Sequence, residues 1–158
     1  MPFQPLYERL PDLAETETRV ITVLDESVAS FGVPIADYAF VEMFCDEAGC
    51  DCRRVFFTVV SSRTEQSEAV IAYGWESPKF YREWFKQGTA EDIAMLQGPE
   101  LNFGSPQGRH ADGILRLFTE VLLPQKVYIE RLKRHYKEFR ATVDRPRNPL
   151  LRRRRTGG

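Results

Sequence analysis

The chain has 158 residues, of which 42% are hydrophobic and 28% charged, the size and composition of one globular domain that buries its own core. No apolar run approaches the roughly 20 residues that cross a bilayer, and the N-terminus lacks a basic segment followed by an apolar stretch. We therefore expect no membrane span, no secretory signal and a cytoplasmic location, where thiols stay reduced. The odd number of cysteines, three, also argues against a disulfide framework.

Positive charge is concentrated at the C-terminus. Residues 144–158 hold six arginines and one aspartate, whereas residues 1–143 carry a net charge of −6. We predict a single domain over 1–143 and a disordered Arg-rich tail over 144–158, because the tail has too little apolar area to bury. Nucleic acid is a candidate partner, because four consecutive arginines attract phosphates: Arg152, Arg153, Arg154 and Arg155. The same run could bind an anionic membrane surface or an acidic protein. It could also have no specific partner.

The first half of the chain has the β-branched and apolar patterns of strands. They are TRVITVL (18–24), DYAFVEMFC (37–45), CDCRRVFFTVVSS (50–62) and EAVIAYGWE (68–76). Short turns join the last three, so these should form an antiparallel meander. The residues before the first strand are expected to be a loose lead-in with one helical turn near residues 12–16.

The second half has the spacing and the caps of helices. Helices are predicted over residues 77–88, 89–97, 110–123 and 124–143. Strands followed by helices predict an α+β fold, with an antiparallel meander of three to four strands and three to four helices packed on one face.

All three cysteines, Cys45, Cys50 and Cys52, lie within eight residues. A tight turn at DEAG would place Cys45 opposite Cys50 and Glu42 opposite Arg53. Cys50 and Cys52 then share one strand face, so the three sulfurs converge. Clustered thiolates are the ligands of a soft cation, and we predict a zinc site here.

A tetrahedral zinc site needs a fourth ligand. His135 is favoured among the candidates because it lies on the apolar stripe of the last predicted helix, although a lone histidine on such a stripe is more often a hydrogen-bonded core residue. His110, Asp46 and Asp51 are the alternatives. Three thiolates donate so much charge that a zinc-bound water would be weakly acidic, which favours a structural site over a catalytic one.

Other interpretations of the cysteines stay open. They can be small buried hydrophobic residues, a disulfide switch between Cys45 and Cys50, or the reactive thiols of an enzyme or redox sensor. Arg54, next to the thiols, is expected to face solvent, although it could instead lower a cysteine pKa or bind an anion. The chain shows none of the GxSxG, Walker, HExxH or GxGxxG motifs, so a non-enzymatic domain is favoured over an enzyme.

The strings FVEMFCDEAGCDCRRVFFTVVS and YIERLKRHYKEF resemble a family of uncharacterised bacterial proteins. Its members share a C-x4-C-D-C-R-R-V hairpin and a C-terminal E-R-L-K-R-H-Y helix. The resemblance covers roughly residues 12–143 and leaves out the arginine tail. It implies a bacterial source and brings no activity, substrate or cofactor with it.

Overall fold

A computed structural model of the chain describes residues 3–25 and 31–144. Within these residues, six strands form one antiparallel sheet: β1 (Phe3–Pro5), β2 (Arg19–Val23), β3 (Ala36–Cys45), β4 (Arg54–Ser61), β5 (Ser67–Gly74) and β6 (Glu100–Leu101). Their order is β1-β3-β4-β5-β6. Strand β2 pairs with the same edge of β3 as β1 does, but β2 lies beside the first half of β3 and β1 beside its last residues. The predicted meander is therefore present as β3, β4 and β5.

Six α-helices accompany the sheet in the described residues: α1 (Leu6–Arg9), α2 (Pro11–Glu17), α3 (Pro78–Trp84), α4 (Ala90–Gln97), α5 (Ala111–Leu117) and α6 (Lys126–Val143). A π-helical stretch, Phe118–Leu122, continues α5. The predicted α+β class is confirmed. The predicted caps are also present, because Ser77 and Thr89 accept hydrogen bonds from backbone N–H groups in the first turns of α3 and α4.

Two expectations about these elements need correction. The lead-in is not loose: it forms β1, α1 and α2, and it is fixed to the core through the buried side chains of Leu6 and Ala14. The predicted tail largely lies outside the described residues, which end at residue 144, so its disorder stays a prediction.

The pairing of β3 with β4 differs from the predicted register by four residues. Phe40 pairs with Val59 and Glu42 with Phe57, and β4 begins only at Arg54. The physical reason is at Arg53, whose φ of 50° lies in the left-handed region and interrupts the extended backbone. A shift by an even number of residues leaves each side chain on its predicted face, because side chains alternate with a period of two.

The main core lies on one face of the sheet. Inward side chains of β3, β4 and β5, among them Phe40, Phe57 and Ile71, pack against α5 and its π-helical continuation. The apolar stripe of α6 covers the same face through side chains that include Leu132 and Phe139. This packing brings the C-terminal half of α6 to the end of β3, where the cysteines begin.

Helices α3 and α4 lie on the opposite face, at the end of β4 and β5, rather than on the predicted single face. Gly74 pairs with Arg54, so both positions point to the face opposite Phe57 and Ile71. A Cβ at Gly74 would collide with the Tyr81 hydroxyl of α3. The absence of a side chain at Gly74 therefore lets α3 approach the sheet closely.

Candidate metal centre

The three thiols meet at the loop that joins β3 to β4. Cys45 is the last residue of β3, and Cys50 and Cys52 lie in the loop, residues 46–53. The backbone N–H of Cys50 donates to the Glu47 carbonyl at 3.2 Å, closing a turn at Gly49, whose φ of 76° suits glycine. The three sulfur atoms lie within 4.8 Å of one another. The predicted convergence is confirmed, although the loop produces it rather than a tight hairpin.

Helix α6 holds the outer part of this loop through Arg140. Its Nη1 donates to the Cys45 carbonyl at 2.5 Å and its Nη2 to the Glu47 carbonyl at 2.7 Å. Asp144 pairs with Arg140 at 2.8 Å and accepts the backbone N–H of Gly49 at 2.9 Å. That backbone hydrogen bond, together with Arg140, lowers the pKa of Asp144. Charge-assisted hydrogen bonds therefore fix the backbone on both sides of the turn.

Two tyrosines hold the other end of the loop at Arg53. The Tyr136 hydroxyl of α6 accepts the Arg53 N–H at 3.2 Å, and the Tyr81 hydroxyl of α3 donates to the Arg53 carbonyl at 2.8 Å. The Arg53 guanidinium binds both carboxylate oxygens of Asp51 and also pairs with Glu76 at 3.4 Å. These contacts hold Arg53 in its left-handed conformation and turn Cys52 inward.

Burial makes two of the thiols weak acids. Cys45 and Cys52 are each 2% exposed, whereas Cys50 is half-buried. Burial raises the pKa of Cys52 to about 12 and also raises the pKa of Cys45, and the neighbouring thiols add to both shifts. Both are therefore neutral near pH 7 unless a cation is bound, because a divalent ion stabilises the thiolate form.

Of the sequence candidates for a fourth ligand, none joins the three sulfurs within the described residues. His135 is the clearest correction: its Nδ1 lies 2.7 Å from Oε1 of Glu42, so the ring is engaged by a carboxylate in the core and not by the thiol loop. His110 is the residue immediately before α5 and is not grouped with the three sulfurs. Asp51 is engaged by Arg53, and Asp46 follows Cys45 at the start of the loop.

A cleft of about 500 Å³ opens beside Cys50. Its walls combine two aromatic side chains, Trp75 and Tyr136, with charged side chains from the loop and from α6. Trp75 and Tyr136 contact each other edge to face with ring centroids 5.0 Å apart. The cleft gives solvent access to the thiol group from the Cys50 side.

The sequence interpretation missed a buried pair of a carboxyl group and an imidazole on the core face. Glu42 and His135 are 1% and 0% exposed, and the Nε2 of His135 lies 3.6 Å from Glu17. Oε2 of Glu42, Nε2 of His135 and the Tyr128 hydroxyl have no hydrogen-bond partner among the described residues. A signal was available: Glu42 occupies an inward position between Phe40 and Phe44, and such a position facing an inward histidine predicts a pair.

Comparison of the chain with protein-family models, with curated proteins and with solved structures finds no match. The resemblance to a bacterial family therefore stays a prediction. Among the described helices, none combines the length and the apolar character that a bilayer crossing requires.

Replacing Arg140 by glutamine tests its hold on the thiol loop. We expect Arg140→Gln to lower the free energy of unfolding by about 2–4 kcal/mol, because charge-assisted hydrogen bonds to two backbone carbonyls are lost. Urea denaturation measures the change. Lys133→Gln is the matched control on the same helix: it removes only a surface ion pair with Glu130 and should cost about 0.5 kcal/mol or less. Equal losses in the free energy of unfolding for the two substitutions would show that Arg140 does not hold the thiol loop.

The pH dependence of stability tests the buried carboxyl. Burial raises the pKa of Glu42 above its ordinary value of 4.5, while the hydrogen bond to His135 opposes the shift. A raised pKa means that the folded state binds the proton more tightly, so the contribution of Glu42 to stability is lost as pH rises from the unfolded value through the folded one. We expect wild-type stability, measured relative to Glu42→Gln, to fall as pH rises above about 4.5. A relative stability that rises with pH would show that the ionised pair dominates instead.

Glu17, Arg131 and Tyr128 also face this pair, so the comparison with Glu42→Gln must be made at each pH. Glu17 acts in the opposite direction. Its pKa is lowered, chiefly by the hydrogen bond from Arg134, and its contribution is lost as pH falls. Because Glu17 is present in both variants, its effect largely cancels in the difference.

Proposed function

We propose that the protein is a non-enzymatic metal-binding domain in which zinc, bound by Cys45, Cys50 and Cys52, stabilises the loop between β3 and β4. The observation that carries the proposal is the approach of three sulfur atoms to within 4.8 Å of one another. Thiolate is a preferred zinc ligand, and zinc offsets the repulsion among three thiolates.

The position of the thiols supports metal binding over simple hydrophobic packing. Cys45 and Cys52 are buried, but the third thiol, Cys50, is only half-buried and lines an open cleft. The loop DEAGCDCR has no large apolar side chain that could hold it against the protein. A metal bound to Cys50 and Cys52 of the loop and to Cys45 at the end of β3 would supply that attachment.

A structural role follows from the donor set. Three thiolates transfer much charge to zinc, so a solvent molecule in the fourth position, taken from the cleft beside Cys50, would be weakly acidic. The role proposed for the ion is to hold the loop in the shape that α6 and α3 also support.

A thiol-based enzyme or redox sensor is the second candidate. It is favoured by one observation, the position of Cys50 at the wall of an open cleft that also holds Arg53, Lys133 and Lys137. The raised pKa values of Cys45 and Cys52 weigh against it, because the thiolate is the reactive form. Nucleic-acid binding through Arg152 to Arg155 stays a prediction, since these residues lie outside the described part of the chain. The cytoplasmic location also stays a prediction.

Metal content tests the proposal. Purified protein should contain close to one zinc ion per chain by elemental mass spectrometry, and its thiols should react slowly with an alkylating reagent until a chelator is added. Cys50→Ser and Cys52→Ser should each lose most of the zinc, because two remaining thiolates bind it weakly. His110→Ala is the matched control and should keep it.

Zinc-free protein whose cysteines are alkylated within minutes at neutral pH would instead support the redox candidate. Zinc that survives both serine substitutions would place the ion elsewhere and refute the proposed site.

A further inference from the structure

On the face of the sheet opposite the main core, Arg54 is a buried cation that forms no ion pair with a carboxylate of the described residues; the ionisable groups that act on its charge are the Cys52 thiol and the Tyr81 hydroxyl. Arg54 is 5% exposed. Its Nε donates to the Leu96 carbonyl at 2.9 Å, and its guanidinium lies 5.2 Å from the centroid of the Phe56 ring. No carboxylate lies within ion-pair distance of it among residues 3–25 and 31–144, and no further hydrogen bond satisfies its Nη atoms. The expectation of a solvated arginine is thus not met.

An uncompensated buried charge is costly, so natural proteins pair it or place it at a binding site. Arg54 lies between two clefts and lines both. The Leu96 carbonyl that it binds belongs to the wall of one cleft, and the Phe56 ring belongs to the wall of the other. The free side of the guanidinium is therefore accessible from both.

The cleft on the α4 side is an apolar groove of about 260 Å³. Helices α3 and α4 form one side of it, and β5, β6 and the residues after β6 form the other. Five of its apolar side chains are Trp84, Phe85, Met95, Leu101 and Phe103. Several are unusually exposed for their size, with Phe103 at 91% and Met95 at 46%. Large exposed aromatic and aliphatic side chains around a concave surface are typical of a ligand site.

Two acidic side chains, Asp92 and Glu100, also line this groove, and neither pairs with Arg54. Asp92 is occupied by the cap of α4, where it accepts the backbone N–H of Thr89 at 2.9 Å. Both carboxylates would repel a second negative charge along the groove. The groove thus suits a molecule with one anionic group and an apolar body.

We propose that this groove binds a small monocarboxylate with an apolar body, the carboxylate pairing with Arg54 and the body lying between α4 and β6. An arginine presents a planar pair of N–H donors that matches a carboxylate in a two-point contact. The groove is smaller than the roughly 300–1,000 Å³ of sites for drug-sized ligands, so the ligand is a medium-chain or single-ring acid. The ligand proposed here is different from the zinc ion, although Arg54 lies two residues from the proposed zinc ligand Cys52.

Calorimetric titration of the full chain with sodium decanoate, below its micelle-forming concentration, tests the proposal. We expect saturable binding of one decanoate per chain. Decanol and decylamine lack the carboxylate and should bind at least tenfold more weakly, and decanedioate should also bind more weakly, because its second carboxylate meets Asp92 and Glu100.

Arg54→Gln should weaken decanoate binding by roughly tenfold or more, whereas Arg63→Gln, at an exposed turn position, should leave it unchanged. Met95→Glu provides a second variant that keeps Arg54 but places a charge at an exposed position of the groove, and it too should weaken binding. It serves the same purpose if Arg54→Gln does not fold.

Three results would overturn the proposal: no saturable decanoate binding, decanol binding as tightly as decanoate, or affinity unaffected by both groove substitutions. Because Arg54 is close to Cys52 in the sequence, the zinc content of Arg54→Gln should also be measured. If Arg54→Gln lowers zinc content while the folded wild type binds no decanoate, Arg54 serves to offset thiolate charge instead. A failed zinc measurement with intact decanoate binding would refute only the metal site.

Discussion

The hold of Arg140 on two backbone carbonyls is the interaction on which the geometry of the thiol loop depends. Without it, the loop between β3 and β4 would be attached to the rest of the protein mainly at Arg53. Arg140 is 8% exposed, and the carboxylate of Asp144 compensates its charge. Since Asp144 also accepts the Gly49 N–H, one residue pair at the end of α6 orients both the carbonyls and the amide of the turn. The cysteines converge because this turn is fixed.

The molecule handles its buried charges in three different ways. Arg140 satisfies its donors on backbone carbonyls and one partner carboxylate, so its burial is compensated within the described protein. Glu42 shares a single close contact with His135 and keeps one oxygen without a partner, so burial still raises its pKa. Arg54 has one carbonyl contact and a ring beneath it. The three cases differ in how fully the buried charge is compensated. Arg140, with the most partners, holds the loop; Glu42, with one, titrates; and Arg54, with no carboxylate partner in the described residues, is the residue proposed to bind a ligand.

The sequence predicted the class of the fold and its central meander because period-two patterns and helix caps are local signals. DYAFVEMFC does form a strand, with Phe40 and Phe44 in the core, although the predicted register with the next strand was wrong by four residues. The register itself depends on Arg53, whose left-handed conformation is held by tyrosines of two later helices. No local pattern in CDCRRV indicates that the strand cannot begin before Arg54.

The candidate site was also predictable only in part, because its cysteines are close in the sequence but its other contacts come from distant helices. A turn at DEAG was expected to fold the chain back between Cys45 and Cys50, and the three sulfur atoms do lie within 4.8 Å of one another. The partner of His135 could not be found from its own helix, because the choice between the thiols and Glu42 depends on which end of β3 that helix crosses. The cation at Arg54 was expected in solvent because α4, which covers it, lies on a face of the sheet that the order of strands and helices does not specify.

Zinc K-edge X-ray absorption on the purified protein tests directly whether the three thiols bind zinc. We expect three sulfur scatterers at about 2.3 Å from zinc and one lighter donor near 2.0–2.2 Å. A zinc ion surrounded only by nitrogen and oxygen donors, or a sample without an absorption edge for zinc, would contradict it.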